Sequence, residues 1–204
     1  GGDGPIFCGG WDPALLRGEG LADLQRARQM ASGFSFLSDL PQPTICAING
    51  DAISAGLELA LACDIRLACP QARFALPEVS LGLIPLAGGG QRLARLVGRA
   101  YALALILSAQ AIDAQEAWRI GLVNQLLPQE ELMAAARRLA LTLAQRGPIA
   151  LRFAKEAVRR GLEMPLAEAL RLETDLTVIL QTTEDRAEGV RAFLEKRPPR
   201  FRGR

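Results

Sequence analysis

Short apolar runs alternate with longer stretches of helical periodicity over residues 1–127. A short apolar run bounded by turn residues is typical of a buried strand, whereas apolar positions that repeat every three or four residues indicate a helix. The predicted strands are Thr44–Ile48, Ile65–Ala68, Arg73–Leu76 and Leu122–Leu127, with a strand end before the Gly-rich loop in residues 1–12. The predicted helices are Leu21–Leu40, Gly56–Cys63, Gln91–Leu96 and Arg99–Leu107.

From Pro128 onward the pattern changes to consecutive amphipathic helices, near residues 128–146, 148–161, 165–181 and 183–195. Each begins at Pro or at a Thr/Asp-type start signal. Strand–helix alternation followed by helices alone predicts an α/β core over residues 1–127 with a helical region over residues 128–204. The Arg-rich tail that follows is expected to be solvated and poorly ordered.

Composition excludes several kinds of chemistry. The chain of 204 residues has no histidine, which removes Ser-His and Cys-His pairs, and its formal net charge of +2 gives no general attraction to nucleic acid. The four cysteines show no C-x-x-C spacing, so we expect reduced thiols and no metal site. No apolar run is long enough to cross a membrane, and no secretory signal opens the chain, which predicts a cytoplasmic protein.

Glu58 stands in an otherwise apolar helical segment, Ala55–Cys63, where a carboxylate is desolvated unless it faces a pocket. The small residues Ser54, Ala55 and Gly56 before it let a ligand approach the backbone at the start of the helix, where free N–H groups attract negative charge. A solvent-facing or salt-bridged glutamate is the alternative.

Glu78 follows Pro77 at the end of a predicted strand, ahead of a loop that ends in Gly88-Gly89-Gly90. No Lys-Ser or Lys-Thr follows these glycines, so the loop is not a phosphate loop, and we expect its backbone N–H groups to act as donors. Two carboxylates in apolar, Gly-framed settings form a candidate acid–base pair. Taken alone, Glu78 is more typical of a capping or surface residue, and Gly88 to Gly90 of a simple connector.

Four segments resemble the crotonase superfamily of enoyl-CoA hydratases and isomerases. They are ICAINGDAISAGLELALACD (residues 45–64), ARFALPEVSLGLIPLAGGGQRLARLVG (72–98), IDAQEAWRIGLVN (112–124) and EGVRAFLEKRPPRFRGR (188–204). The resemblance covers essentially the whole chain and implies a ββα spiral core with a C-terminal helical trimerisation region. It also implies that the chain lacks an initial strand–helix–strand unit that relatives carry.

The resemblance implies a role for each candidate residue. Glu58 would activate a water molecule for attack at Cβ of a trans-2-enoyl-CoA, and Glu78 would protonate Cα. The backbone N–H groups of Trp11 and Ala55 would hold the thioester oxygen; an ordinary packing aromatic is the alternative for Trp11. The residues expected to contact substrate or coenzyme A are Gly9, Asp12, Leu86, Phe193 and Lys196. The implied product is a 3-hydroxyacyl-CoA, formed without metal or redox cofactor by a homotrimer or a dimer of trimers.

Several positions depart from the family pattern. Pro13 and Ala14 stand where many relatives carry an apolar residue and a phosphate-binding Lys. Ser54 and Ala55 replace glycines, and Leu86 replaces a common Gly, which narrows the expected pocket. The alternatives to a hydratase are a 3-enoyl-CoA isomerase, which needs one carboxylate, and a catalytically silent coenzyme A or RNA binder that uses the basic tail.

Overall fold

The computed structural model describes residues 2, 4–12 and 21–204; Pro13 and Ala14 lie outside this part. The chain divides into two units, residues 1–40 with 44–137 and residues 41–43 with 138–204. The chain passes from the first unit to the second inside a helix, ten residues beyond the boundary expected at residue 127. That predicted domain boundary stays a prediction.

The strands of the first unit are β1 (Ile6–Cys8), β2 (Ile45–Ile48), β3 (Asp51–Ile53), β4 (Ile65–Ala68), β5 (Arg73–Ala75), β6 (Ile112–Asp113) and β7 (Gln125–Leu126). They form one sheet in the order β1-β3-β5-β6 and another in the order β2-β4-β7. All pairs are parallel except β5 with β6. The carboxyl ends of β1, β3 and β5 therefore lie side by side at one edge of their sheet.

The helices are α1 (Leu21–Asp39), α2 (Ala55–Ala62), α3 (Gly89–Val97), α4 (Arg99–Ser108), α5 (Ala114–Arg119), α6 (Gln129–Ala144), α7 (Pro148–Gly161), α8 (Leu166–Leu180) and α9 (Glu184–Leu194), with a 3₁₀ helix at Glu78–Leu81. The predicted helices are found within a few residues of their expected bounds. The predicted strand Leu122–Leu127 shortens to β7, and β3 was not predicted, because three residues after Asn49-Gly50 resemble the continuation of a turn.

Helix α2 is buried on almost every side, which the unbroken apolar sequence around Glu58 explains. Its residues Leu57 and Ala60 are fully buried and pack in one core with Ile48, Phe74 and other strand residues. No side chain caps its start. Burial, rather than capping or helix propensity, therefore holds this short helix in place.

The C-terminal tail is ordered against α9, so the expectation of a poorly ordered terminus is wrong. The buried carboxylate of Asp185 accepts hydrogen bonds from the backbone N–H groups of Arg202 and Gly203, at 2.6 and 2.8 Å. Glu188 binds the Arg197 guanidinium at 2.6 Å. Charge-assisted bonds to fixed partners offset the entropy lost when a terminus is ordered.

Candidate active site

The candidate residues converge because each follows one of three neighbouring parallel strands. Trp11 comes just after β1, Ala55 and Glu58 come just after β3, and Glu78 comes just after β5. In open α/β sheets the crevice beyond the carboxyl ends of parallel strands is the usual place for a ligand. The topology therefore places the predicted donors and carboxylates at one sheet edge.

Two glycines allow the segment after β1 to pack directly on the start of α2. A Cβ added at Gly56 would lie 2.2 Å from the carbonyl oxygen of Cys8, and one added at Gly10 would lie 2.7 Å from Cβ of Ser54. Gly10 also has a φ of 107°, in the region that favours glycine. Gly10 precedes Trp11 and Gly56 follows Ala55, so these contacts bring the two predicted amide donors close together.

Both predicted amides are available to a ligand. Within the described residues, no acceptor receives the N–H of Trp11 or of Ala55. Ala55 is the first residue of α2, where the helix leaves its N–H groups without internal partners. The Trp11 ring packs edge-on against Phe34, with centroids 5.9 Å apart. The side chain thus has a packing role of its own, while the main chain keeps a free donor.

Glu58 is fully buried, and one of its carboxylate oxygens is held by the loop before α3. The N–H groups of Ala87 and Gly89 donate to Oε1 at 2.7 and 2.9 Å. The other oxygen, Oε2, has no hydrogen-bond partner in the described part of the chain. One oxygen therefore fixes the orientation of the carboxylate and leaves the second for a reactant.

Glu78 opens the 3₁₀ helix and is 6% exposed. Neither of its carboxylate oxygens has a hydrogen-bond partner among the residues that the structure describes. Burial raises the pKa of Glu58, the Gly89 and Ala87 N–H groups oppose this, and the charge of Glu78 raises it further. Such an electrostatic interaction requires the two carboxylates to be near each other.

A cleft of about 300 Å³ adjoins the loop that holds Glu58. Its walls are Leu86, Ala87, Gly88 and Arg92 on one side and Ala31, Ser32 and Ser35 of α1 on the other. Leu86 is 46% exposed, which leaves its side chain accessible to a ligand in the cleft. The Arg92 guanidinium donates to the Ala87 carbonyl oxygen at 2.6 Å and so helps to fix the conformation of the same loop.

The remaining predicted contact residues are placed as follows. Gly9 and Asp12 flank Trp11 in the segment after β1, and both are exposed. Phe193 and Lys196 belong to the second unit, where Phe193 is 82% exposed in the last turn of α9. Lys196 follows that helix with a φ of 53°.

The structure adds functional contacts that the sequence did not predict. The loop N–H groups were expected to be donors, but those of Ala87 and Gly89 bind Glu58 rather than a ligand. A Cβ at Gly89 would lie 3.0 Å from Oε1 of Glu58, so this glycine permits the contact. The run Gly88-Gly89-Gly90 was the signal in the sequence that this loop exposes backbone donors. The acceptor, Glu58, is 31 residues from Gly89 and was not apparent from local spacing.

A wider cavity of about 820 Å³ lies in the second unit between α9 and the tail. Its lining includes Glu188 and Arg197, which pair with each other, and Asp185, which binds the tail. These carboxylates are satisfied, whereas those of Glu58 and Glu78 are buried with free oxygens. We therefore place the candidate active site at the glutamate pair despite the larger cavity elsewhere.

The fold is that of a known class. The sequence model described as Enoyl-CoA hydratase/isomerase matches residues 1–204. The chain therefore belongs to the enoyl-CoA hydratase/isomerase family, in the crotonase superfamily. Crystal structures of an enoyl-CoA hydratase from Bacillus anthracis and of DspI from Pseudomonas aeruginosa each superpose with a TM-score of 0.94. Their sequence identities are 41% and 42%, and each match covers 98% of this chain and 78% or 77% of the other. The α/β crotonase fold predicted from the sequence is confirmed.

Similar curated proteins carry hydratase names. The 2,3-dehydroadipyl-CoA hydratase of Escherichia coli (strain K12) is 47% identical over 163 residues, which are 80% of this chain and 64% of that protein. The mitochondrial methylglutaconyl-CoA hydratase of Mus musculus is 47% identical over 205 residues, which are 97% of this chain and 65% of that protein. The chain thus spans less than two thirds of the length of these relatives.

Proposed function

We propose that the protein is an enoyl-CoA hydratase that adds water reversibly and with syn geometry to a trans-2-enoyl-CoA, giving a 3-hydroxyacyl-CoA. The observation that carries this proposal is a set of three buried carboxylate oxygens, on Glu58 and Glu78, that find no hydrogen-bond partner among the described residues. A buried carboxylate oxygen with no hydrogen bond is costly, so such a pair favours an occupant that donates hydrogens. A water molecule between two carboxylates meets this need and is the second substrate.

The free amides of Trp11 and Ala55 would polarise the thioester carbonyl. Addition at Cβ places negative charge on the thioester oxygen, as in an enolate, and two fixed N–H donors stabilise that charge more in the transition state than in the substrate. Because Ala55 begins α2, the partial positive charge at the start of the helix acts in the same direction.

The two carboxylates would divide the proton transfers. Oε2 of Glu58 accepts a proton from the water as its oxygen bonds to Cβ, while Glu78, which enters this step as the carboxylic acid, delivers its proton to Cα. Glu58 suits the first role because Ala87 and Gly89 fix its other oxygen and burial raises its pKa, which strengthens it as a base. Proton exchange between the two acids then restores the starting state.

Substrate contacts follow from the same arrangement. We assign the acyl group to the cleft at Leu86 and the segment of Gly9 and Asp12 to the thioester side. As the resemblance implies, Phe193 and Lys196 of a neighbouring subunit are assigned to the coenzyme A adenine and phosphates, where lysine acts as a point charge. The hydratase names of the relatives support this class of substrate. No metal or redox cofactor enters the proposed reaction.

The test is replacement of each carboxylate by its amide. Glu58→Gln and Glu78→Gln should each lower kcat by about 10²–10⁴-fold, the usual worth of a positioned acid or base. The assay is the ultraviolet absorbance of the enoyl thioester, with circular dichroism as the check on folding. Glu173→Gln, an exposed residue of α8, is the control and should leave turnover unchanged. Near-normal turnover in either site variant would refute the assignment.

The competing reaction is the isomerisation of a 3-enoyl-CoA to a 2-enoyl-CoA, which needs one carboxylate. The family description names both activities. Burial of both glutamates with unpartnered oxygens favours hydration. Product analysis with matched 2-enoyl and 3-enoyl thioesters separates them, because a hydratase forms the 3-hydroxy product from the 2-enoyl substrate alone.

We propose a homotrimer or a dimer of trimers, formed through the helical region. Helices α7 to α9 expose large apolar side chains, among them Val158, Leu162, Leu166 and Leu194, at 66, 75, 74 and 74%. Exposed apolar surface of this extent is typical of an interface. Light scattering coupled to gel filtration tests the trimer, and a monomer at micromolar concentration would contradict it. None of the described helices is long and apolar enough to cross a membrane. The cytoplasmic location and the absence of nucleic-acid binding stay predictions.

A further inference from the structure

Strand pairing and the contacts of Arg66 place Cys46 near Cys63, at the opposite end of α2 from Ala55. Cys46 of β2 pairs with Arg66 of β4 in parallel register, so both side chains leave the sheet on the same side. The Arg66 guanidinium reaches back to the carbonyl oxygens of Cys63 and Ala60, at 2.6 and 3.3 Å. Cys46 therefore points to the last turn of α2, where Cys63 is the C-terminal cap.

A clasp between Thr44 and Asp64 fixes the backbone beside these cysteines. The Thr44 N–H and hydroxyl donate to Oδ2 of Asp64 at 2.7 and 2.9 Å, and the Asp64 N–H donates to the Thr44 hydroxyl at 2.9 Å. The Ile65 N–H donates to the Thr44 carbonyl oxygen at 3.1 Å. Each cysteine lies within two residues of the clasp, so the separation of the two thiols is set by a rigid frame.

The two thiols are free, and they differ in their surroundings. Cys46 is 4% exposed, whereas Cys63 is half-buried. Interaction with the Cys46 thiol lowers the pKa of Cys63 to about 7, and Arg66 contributes in the same direction, while burial and Asp64 oppose both. As a thiol, Cys63 donates from Sγ to the Leu59 carbonyl oxygen at 3.6 Å. The same interaction, together with burial, raises the pKa of Cys46.

Arg66 itself explains why a thiolate is tolerated here. It is 5% exposed, and its described hydrogen bonds go to carbonyl oxygens, including that of Leu122 at 2.8 Å. A buried guanidinium bonded to neutral oxygens stabilises a nearby anion. Cys63 is thus the more accessible thiol and the one with the greater thiolate fraction, two properties that define a reactive cysteine.

We propose that Cys63 is a site of oxidative modification by hydrogen peroxide and that Cys46 is its resolving thiol. The Cys63 thiolate attacks one oxygen of the peroxide, the O–O bond breaks, and the products are a sulfenic acid and, after protonation, water. The Cys46 thiol then attacks the Cys63 sulfur, hydroxide leaves, and with the thiol proton it forms a second water. Two thiols lose two electrons, and the peroxide is reduced.

The disulfide would tie the end of α2 to β2. Helix α2 carries Ala55 and Glu58 in its first turns, so the bond would fix the position of the helix that bears both groups. The modification does not depend on the proposed hydratase activity, because neither cysteine takes part in it.

The experiment exposes the full-length chain to hydrogen peroxide under native conditions and maps its thiols by non-reducing mass spectrometry. We expect a cross-link between Cys46 and Cys63, seen as the loss of two hydrogens and reversed by dithiothreitol. Cys8, which is also half-buried, and Cys69, which is fully buried, are internal controls and should stay reduced.

Two variants separate the roles of the two sulfurs. In Cys46→Ala the oxidised Cys63 should persist as a sulfenic acid that dimedone traps, whereas the unmodified chain should give little adduct. In Cys63→Ala, Cys46 should stay reduced. The proposal is overturned if the unmodified chain gives no Cys46–Cys63 cross-link, or if Cys8 oxidises before Cys63. It is also overturned if the unmodified chain gives as much dimedone adduct as the Cys46→Ala variant. The mapped cross-link alone decides the matter should a variant fail to fold.

Discussion

Gly89 lacks the side chain that would otherwise push Glu58 out of position. A Cβ at this residue would lie 2.9 Å from Cβ of Pro85 and 3.0 Å from both Cγ and Oε1 of Glu58. Two of these contacts are with the Glu58 side chain, whose Oε1 accepts the Gly89 N–H at 2.9 Å. We therefore expect Gly89→Ala to displace Glu58 and weaken this hydrogen bond.

The size of the effect follows from opposing contributions. Overpacking one methyl group in a rigid site costs about 1–3 kcal/mol. Gly89 is the first residue of α3, where alanine regains at most about 0.5–1 kcal/mol of helix propensity. We expect a net loss of about 1–2 kcal/mol in the free energy of unfolding. Misplacement of a catalytic group by about 1 Å costs roughly 10²-fold in rate, so kcat should fall by that order.

Gly90→Ala is the matched control, because its added Cβ would meet only Cδ1 of Ile106, at 4.0 Å. It makes the same chemical change one residue further along α3 and should keep full activity with equal or higher stability. Urea unfolding and the hydration rate of a 2-enoyl-CoA measure both effects. Equal rates for the two variants would refute the view that the loop positions Glu58.

Three further predictions concern the site, the packing beneath it and the tail. Water activation requires the ionised form of Glu58, and because burial raises the pKa of Glu58, this form is lost on acidification at a higher pH than for an ordinary glutamate. Arg92 lowers this pKa, so Arg92→Gln should move the acidic limb of the pH profile of kcat/KM to still higher pH. An unmoved limb would contradict the role of Glu58. Gly56→Ala would place Cβ 2.2 Å from the backbone oxygen of Cys8. Because the backbone cannot rotate away as a side chain can, we expect the free energy of unfolding, measured in urea, to fall by about 3 kcal/mol or more. A loss below about 1 kcal/mol would show that the segment after β1 is not tightly packed there. Asp185→Ala removes the acceptor of two tail N–H groups, so limited proteolysis should cleave the tail faster than in the unmodified chain, and equal cleavage rates would show that Asp185 does not hold it.

The sequence predicts the elements of this fold well where periodicity is long or apolar runs are sharply bounded. The strand Ile65–Ala68 and the helix Pro148–Gly161 are found at their predicted bounds. Glu58 also stands out from sequence, because a carboxylate among eight apolar or small neighbours has few structural explanations. Glu78 was a weaker candidate, because its local surroundings are less unusual, and the family resemblance then implied its role.

Other features depend on contacts between distant segments, which local patterns do not encode. β3 has three residues and is a strand because β1 and β5 pair with it on either side. The hydrogen bonds from Ala87 and Gly89 to Glu58 span 29 and 31 residues. The ordered tail likewise depends on a carboxylate 17 residues earlier, at Asp185. In each case the partner, rather than the segment itself, determines the structure.

The adjacency of β1, β3 and β5 makes the chemistry a property of the assembled sheet. The chain reaches the same edge three times, and the groups contributed at each of these places are incomplete without the others. A fragment that reaches it fewer times would therefore hold no partial catalyst. Conversely, connections that carry none of these groups can gain or lose residues without moving the reactive atoms, provided that the strands keep their alignment.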